Sequence, residues 1–359
     1  MAPAVSVVTV ILDARRFLAE AIESILSQTF RDFEYVIVDF GSTDDSPKLA
    51  LKYAAEDTRI KFHRIEPCSL TQARNAACSI AQGRYIAIMD ADDVSLPDRL
   101  AVQAEFMDEH PEIALLGALA DSIRADGQPF DFRLHQPPSE HDEIRTALKD
   151  HCPFCASTAF FRREAFTAVG GYRVALWQSE DLDLWLRIAE RFRCAALQQV
   201  VLKYRFHSQQ LSLRKQREQG LCALAVKASA RLREEGKWDP LDTASEITPE
   251  LLTKMGVPLT VQHFAIAEKY RDWIRNMCRS GEYELALRTA IALLQTDLKH
   301  AEPWQVAKLH ETVAGLQWRT GHHLGSIIAF LRAVKTRPVM LGRPLKTVLR
   351  RIRGAKAGS

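Results

Sequence analysis

What the 359-residue chain lacks narrows its function first. No apolar run approaches the roughly 18 residues needed to cross a bilayer, so no membrane-spanning helix is expected. Net charge is only +3, too small to argue for a nucleic-acid partner. Met1-Ala2-Pro3-Ala4-Val5 offers neither a basic region nor a cleavage site, so no secretory signal is expected. Seven cysteines, an odd number widely spread, imply reduced thiols and a cytoplasmic location. Cys152-Pro153-Phe154-Cys155 is a lone pair with no second pair near it, a poor zinc or redox centre. No G-x-G-x-x-G follows the first apolar run, which argues against a dinucleotide-dependent oxidoreductase.

What is present is organised around one stretch, Tyr85-Ile86-Ala87-Ile88-Met89-Asp90-Ala91-Asp92-Asp93. The apolar part suits a central strand covered on both faces. Three acids just past its end lie where open α/β sheets bind ligands. Hard oxygen ligands so close together suit Mg²⁺ or Mn²⁺ shared with substrate phosphates. A solvated acidic turn before a helix is the competing reading, because Asp favours turns and caps.

Around that stretch strands alternate with helices. Strands are expected at Val5–Leu12, Tyr35–Asp39, Ile60–Ile65 and Tyr85–Met89. Helices are expected over residues 17–26, from Ser46 to about Glu56, and over Thr71–Ala81. Such alternation implies an α/β fold with a mostly parallel sheet, and it puts Asp39 and Asp92 on one sheet edge. Further on, helices are expected at Pro97–His110, Glu140–Lys149 and Arg163–Val169, the last stopped by Gly170-Gly171. Strands are expected at Ile113–Ala120, Ser157–Phe161 and Val200–Tyr204. A helix opens near Trp177 with Glu180, Asp181 and Asp183 in its first turn, where acids complement the helix dipole.

From about Leu221 the chain turns helical. The expected division is a first domain over 1–220, a helix and proline-bearing linker over 221–260, and a helical annex with a basic tail over 261–359. Arg279-Ser280-Gly281 and Arg319-Thr320-Gly321 lie 40 residues apart. Each reads as the turn of a helical hairpin, at tetratricopeptide-like spacing.

Four pieces together resemble a family 2 glycosyltransferase of the GT-A fold. They are Val5-Ser6-Val7-Val8 with Ser24-Ile25-Leu26-Ser27-Gln28-Thr29-Phe30; Val38-Asp39-Phe40-Gly41-Ser42-Thr43-Asp44; Ala73-Arg74-Asn75 leading to Gly83-Arg84-Tyr85 and Asp90-Ala91-Asp92-Asp93; and Gly170-Gly171-Tyr172 followed by Ser179-Glu180-Asp181, then Tyr204-Arg205-Phe206-His207. Their order over some two hundred residues carries the resemblance. It implies transfer of a sugar from a nucleotide-diphosphate sugar to a glycan or lipid-linked acceptor hydroxyl, with inversion and in cell-surface polysaccharide synthesis. It further implies Mn²⁺ or Mg²⁺ on Asp92, Asp93 and His207, and Asp181 as the base. Arg74, Asn75, Asp90 and Asp92 would lie near the donor, and Glu180 and Trp177 near the acceptor. Arg74 is equally readable as a structural ion-pair residue, and His207 as a structural histidine.

Two departures from the family pattern fall in the expected base pocket. Leu12 stands where an aromatic is usual, and Phe40 stands where a second acid would follow Asp39. They motivate a rival reading, a nucleotide-sugar-binding pseudoenzyme, against which the intact acid pairs count. A helical-repeat adaptor is a further rival, for which the annex is short. Residues 335–359 carry eight Lys or Arg and no acid, with Leu345, Val348, Leu349 and Ile352 on one helical face. That tail reads as a peripheral anchor on the inner face of the cell membrane, as a solvated basic tail, or as a last helix packed on the annex.

Overall fold

The computed structural model describes residues 2–130, 136–207, 210, 216–295 and 303–337. These fall into two units. The first holds Met1–Leu211 and Cys222–Met255, the second Ser212–Leu221 and Gly256–Ser359.

The first unit is built on one eight-stranded sheet. Its strands are β1 Val5–Ile11, β2 Phe33–Asp39, β3 Ile60–Arg64, β4 Tyr85–Ile88, β5 Val94–Ser95, β6 Ile113–Arg124, β7 Phe160–Arg162 and β8 Arg193–Phe206. The order is β3-β2-β1-β4-β7-β6-β8-β5. β1, β2, β3 and β4 pair in parallel, and β6 pairs in parallel with β8. β7 runs antiparallel to β4 and β6, and β5 antiparallel to β8. β1, β2 and β4 are apolar nearly throughout because both faces are covered.

The first four helices are α1 Leu18–Leu26, α2 Ser46–Glu56, α3 Leu70–Ile80 and α4 Arg99–Glu109. Ile22 and Ile25 of α1 join Leu100 and Met107 of α4 in a core under β1 and β4. Each such side chain contributes about 1.5–3 kcal/mol when buried. α5 His141–Leu148, α6 Arg163–Ala168 and α7 Glu180–Arg191 follow. Trp185 of α7 is fully buried, with the rings of Phe161 and Phe154 at 5.3 and 6.3 Å.

The later strands differ from their expected extents. β8 is far longer than Val200–Tyr204 because Gln198-Gln199, a polar break in the sequence, is taken up by a register shift against Ala118 and Leu119. Residues 156–158 form a 3₁₀ turn, and β7 begins after it. The two-residue β5 carries no alternation that a sequence could reveal.

α8 Gln216–Glu234 and α9 Pro249–Lys254 follow β8. Residues 222–255, expected as helix and linker, pack within the first unit. Asp239 Oδ2 accepts from Arg173 Nη1 at 2.9 Å, Arg233 Nη1 at 2.7 Å and Ser229 Oγ at 2.5 Å. Leu241, Leu252 and Met255 of the same stretch are buried.

The second unit is helical: α10 Leu259–Ser280, α11 Tyr283–Gln295, α12 Pro303–Arg319 and α13 His323–Thr336. Gly281 and Gly321, at φ +82° and +84°, end α10 and α12 in the left-handed region that favours glycine. The caps match: Glu282 N–H donates to Met277 O at 2.9 Å, and His322 N–H to Gln317 O at 2.7 Å. Trp273, Met277, Leu287, Leu293, Leu309 and Val313 form its core.

Candidate active site

The acidic loop leaves β4 at the carboxyl edge of the sheet, on a braced strand end. Arg99 is fully buried and donates from Nη2 to Ile88 O at 2.8 Å. Burial pushes its guanidinium down to about 10. Asp90 N–H donates to Ser157 Oγ at 3.2 Å.

The three acids then take different positions. Asp92 is part-exposed, and its Oδ2 lies 2.9 Å from His207 Nε2. Asp93 is 1 % exposed; its Oδ1 accepts from Arg205 N–H at 2.9 Å, while the buried Oδ2 has no partner. Burial pushes its carboxyl well above the usual range, and the Asp92 and Asp90 charges add to that. Asp93, expected beside Asp92 as a metal ligand, is thus turned inward as a tie to β8. Asp90 faces the other way, toward Arg74.

Arg74, on α3, is the hub of the second half. It is 6 % exposed. Its Nη2 donates to Asp90 Oδ1 at 3.1 Å, and its Nη1 lies 2.5 Å from Asp181 Oδ1 and 3.1 Å from Glu180 Oε1. The three carboxylates raise its pKa against the opposing effect of burial. Glu180 is pushed up to about 8 by burial first and then by the Asp181 charge, with Arg74 pulling the other way. Glu180 and Asp181 open α7 directly after Ser179, which has φ +65°. A serine in that region is strained, at a position that turns the two acids toward Arg74.

The other expected residues divide. Asn75 points away from the cleft to clamp Tyr172: its Nδ2 donates to Tyr172 O at 2.7 Å, and its Oδ1 accepts from Tyr172 N–H at 2.9 Å. Gly171 permits this clamp, for a Cβ there would lie 2.8 Å from Asn75 Oδ1. Asp39 ends β2 fully buried, accepting from Ser42 N–H and paired with Arg64 Nε at 3.1 Å. Phe40 turns inward and is buried, whereas Leu12 is 42 % exposed. Trp177 is half-buried three residues before Glu180. Cys152 and Cys155 are both free thiols.

Among the described residues, no three His, Cys, Asp or Glu side chains converge as a metal site of their own. The Asp92–His207 pair nevertheless fits a divalent cation. It joins a carboxylate oxygen to an imidazole nitrogen at the sheet's ligand-binding edge, with the unpartnered oxygen of Asp93 in the same loop. Mg²⁺ and Mn²⁺ commonly take one or two protein ligands and complete their shell with water and substrate phosphate.

Residues 6–170 match the model of Glycosyl transferase family 2. The chain is 32 % identical over 208 residues to the O-antigen biosynthesis glycosyltransferase WbnJ of Escherichia coli, covering 57 % of this chain and 80 % of that protein. It is 35 % identical over 211 residues to EpsE of Bacillus subtilis, covering 56 % and 73 %.

The chain is a family 2 glycosyltransferase.

Its fold is also that of S. aureus TarS 1–349 in complex with UDP, at TM-score 0.51 and 17 % identity over 94 % of this chain and 89 % of that one. Among its described residues, no helix of the glycosyltransferase is long and apolar enough to cross a membrane.

Several groups that shape the glycosyltransferase's cleft carry no clear mark in the sequence. Arg205 is nearly fully buried and braces the acidic loop. Its Nε donates to Asp92 O at 2.8 Å, its Nη2 meets Glu20 Oε2 at 2.5 Å, and Phe17 lies under its guanidinium at 4.8 Å. Phe17 also packs on His207, ring centres 4.8 Å apart. Asp13, at φ +50°, stitches the loops after β1 and β2: its Oδ1 accepts from Thr43 N–H at 2.8 Å and Asp44 N–H at 3.2 Å. The only signal for Arg205 was its place two residues before His207.

Proposed function

We propose that this glycosyltransferase moves a sugar from a nucleoside-diphosphate sugar to an acceptor hydroxyl with inversion, using Asp181 as base and a divalent cation on Asp92 and His207. The observation that carries this reading is Arg74. It reaches Asp90 of the acidic loop with one nitrogen and Asp181 of α7 with the other, which brings the acidic loop and the start of α7 to one side chain and supports this reading.

Asp181 takes the proton as the acceptor oxygen attacks the anomeric carbon. Of the two adjacent acids it is the better candidate, because Glu180 keeps its own proton up to about 8. Two neighbouring carboxyls with different environments divide such roles. The protonated Glu180 then donates a hydrogen bond toward the acceptor, with Trp177 beside it. Mn²⁺ or Mg²⁺, when bound, neutralises the leaving diphosphate as a Lewis acid. Arg74 adds a fixed positive charge near the donor, and Asp90 keeps Arg74 in place.

The donor's base is assigned to the edge formed by Leu12 and Asp39, with Phe40 supporting it from inside. A uridine nucleotide is favoured, since the TarS structures with UDP and UDP-GlcNAc share the fold. The product is assigned to a cell-surface polysaccharide, in line with relatives described as O-antigen and amylovoran biosynthesis glycosyltransferases. Its acceptor is a glycan or lipid-linked sugar at the cytoplasmic face of the membrane. The basic tail, residues 335–359, lies outside the described residues from 338 on; we assign it to peripheral contact with that membrane.

The test is turnover of a panel of nucleotide sugars with Mn²⁺, followed by NMR of the released or transferred sugar. An inverted anomeric configuration supports the reading. Retention, or no turnover of any sugar nucleotide under conditions where nucleoside diphosphate binds, counts against it.

A further inference from the structure

We propose that the outer face of α13 is a membrane-contact surface that seats on an anionic lipid bilayer. It rests on the membrane part of the reading above and adds a second, separable contact to the tail.

Helix α13 is built with its large side chains outward. Ser326, Ala329 and Ala333 face in, and Ser326 Oγ donates to Ala314 O of α12 at 2.7 Å. Leu324, Ile327, Ile328 and Leu331 face out, at 74, 52, 45 and 60 % exposure. Their spacing is that of one continuous helical stripe. Single exposed apolar residues are ordinary, but four in one stripe mark a contact surface.

Charge identifies the occupant. Glu311 is the last acid in the chain, and the 48 residues after it hold ten Lys or Arg. The first 311 residues carry a net charge of −7. Arg332, Lys335 and Arg337 are exposed beside or just after the stripe. Trp318, 49 % exposed, packs its ring at a tilt against His323, centres 4.5 Å apart, just before the stripe's first residue. An apolar stripe, flanking cations and an amphipathic aromatic are what an interfacial helix presents to anionic lipid. A nucleic acid would answer the cations but leave the stripe unused. A second copy of this chain would bring the same cations against themselves.

The experiment is co-sedimentation of the full chain with phosphatidylcholine vesicles, with or without one third phosphatidylglycerol, at low and high salt. Two sets of variants are compared: Ile327→Asp with Leu331→Asp on α13, and Arg350→Gln with Arg351→Gln and Arg353→Gln in the tail. Unchanged circular dichroism and melting show that the exposed α13 positions tolerate the change; Ile327→Ser with Leu331→Ser is the milder pair. The wild type is expected to bind anionic vesicles in low salt and not neutral ones. The α13 pair is expected to lose at least about tenfold in partitioning while its tail is intact. Wild-type binding that the α13 pair leaves unchanged overturns the proposal, even if the tail variant abolishes it. So does a wild type that binds no vesicles, or a wild-type dimer in sedimentation velocity that the α13 pair turns to monomer.

Discussion

The guanidinium of Arg74 and the carboxylate of Asp181 meet at 2.5 Å, although 107 positions separate them in the sequence. The contact joins α3 to the start of α7 and leaves Arg74's other nitrogen for Asp90. The pocket that results sets three acids against one guanidinium, with Arg74 and Glu180 shielded from water. Removing the guanidinium leaves three carboxylates facing one another.

Arg74→Met is therefore expected to cost about 3–5 kcal/mol, the range seen when one partner of a buried ion pair is deleted. Thermal or urea unfolding measures it. Arg74→Lys keeps the charge but cannot bridge both acids, so an intermediate loss is expected. A Met variant as stable as the wild type would show that the three acids are not held by this residue.

The role of Asp181 separates from binding. Asp181→Asn is expected to lower kcat by about 10² or more while leaving donor affinity nearly unchanged, because a general base acts in the transition state. Steady-state kinetics together with donor titration reads both. Collapse of donor affinity with turnover retained would place Asp181 in the donor site instead.

Glu180 gives the protein a pH signature. Its folded pKa is raised to about 8 from an ordinary 4.5. Between those values the folded state binds more protons than the unfolded chain, so stability falls as pH rises and levels off above about 8. Glu180→Gln removes this component. The variant is expected to melt above the wild type at high pH, and the gap is expected to shrink or reverse at low pH. Melting curves across the range check it; a gap constant with pH would contradict it.

Leu12 tests the base edge. It is 42 % exposed where the family pattern has an aromatic. Leu12→Tyr restores a π face worth about 1 kcal/mol, so about fivefold tighter binding of uridine diphosphate is expected. Titration of the variant measures it. Unchanged affinity would move the base away from Leu12.

Much of this was legible in the sequence, for identifiable reasons. Apolar strands alternating with helices left little choice but a mostly parallel sheet. The Asp90–Asp93 loop and the Glu180-Asp181 pair stand out by their place in the ordered pieces of the family pattern, since each acid group alone also reads as a turn or helix-start feature. Side-chain direction was less legible. β2 is buried on both faces, so no alternation told which of Asp39 and Phe40 would face the cleft. Asn75 carries a donor-site position in the motif, yet its amide matches the backbone of Tyr172 in space. That partner, 97 residues away, is invisible to local pattern. Arg205 was hidden for the same reason, since its worth lies in Glu20, Phe17 and the acidic loop meeting around it. Residues 221–260 read as a helix and proline-bearing linker, whereas Asp239 within them binds a pair of arginines that only the fold brings together.

The central claim is that Asp92 with His207 holds a divalent cation that holds the donor diphosphate. Calorimetric titration of uridine diphosphate into the protein, with Mn²⁺ and with chelator, tests it most directly, repeated for Asp92→Asn and His207→Ala. The account predicts binding that requires Mn²⁺, is lost in Asp92→Asn and weakened in His207→Ala, with both variants still folded. Equal affinity in chelator and in Mn²⁺, or an Asp92→Asn variant that binds as the wild type does, would contradict it.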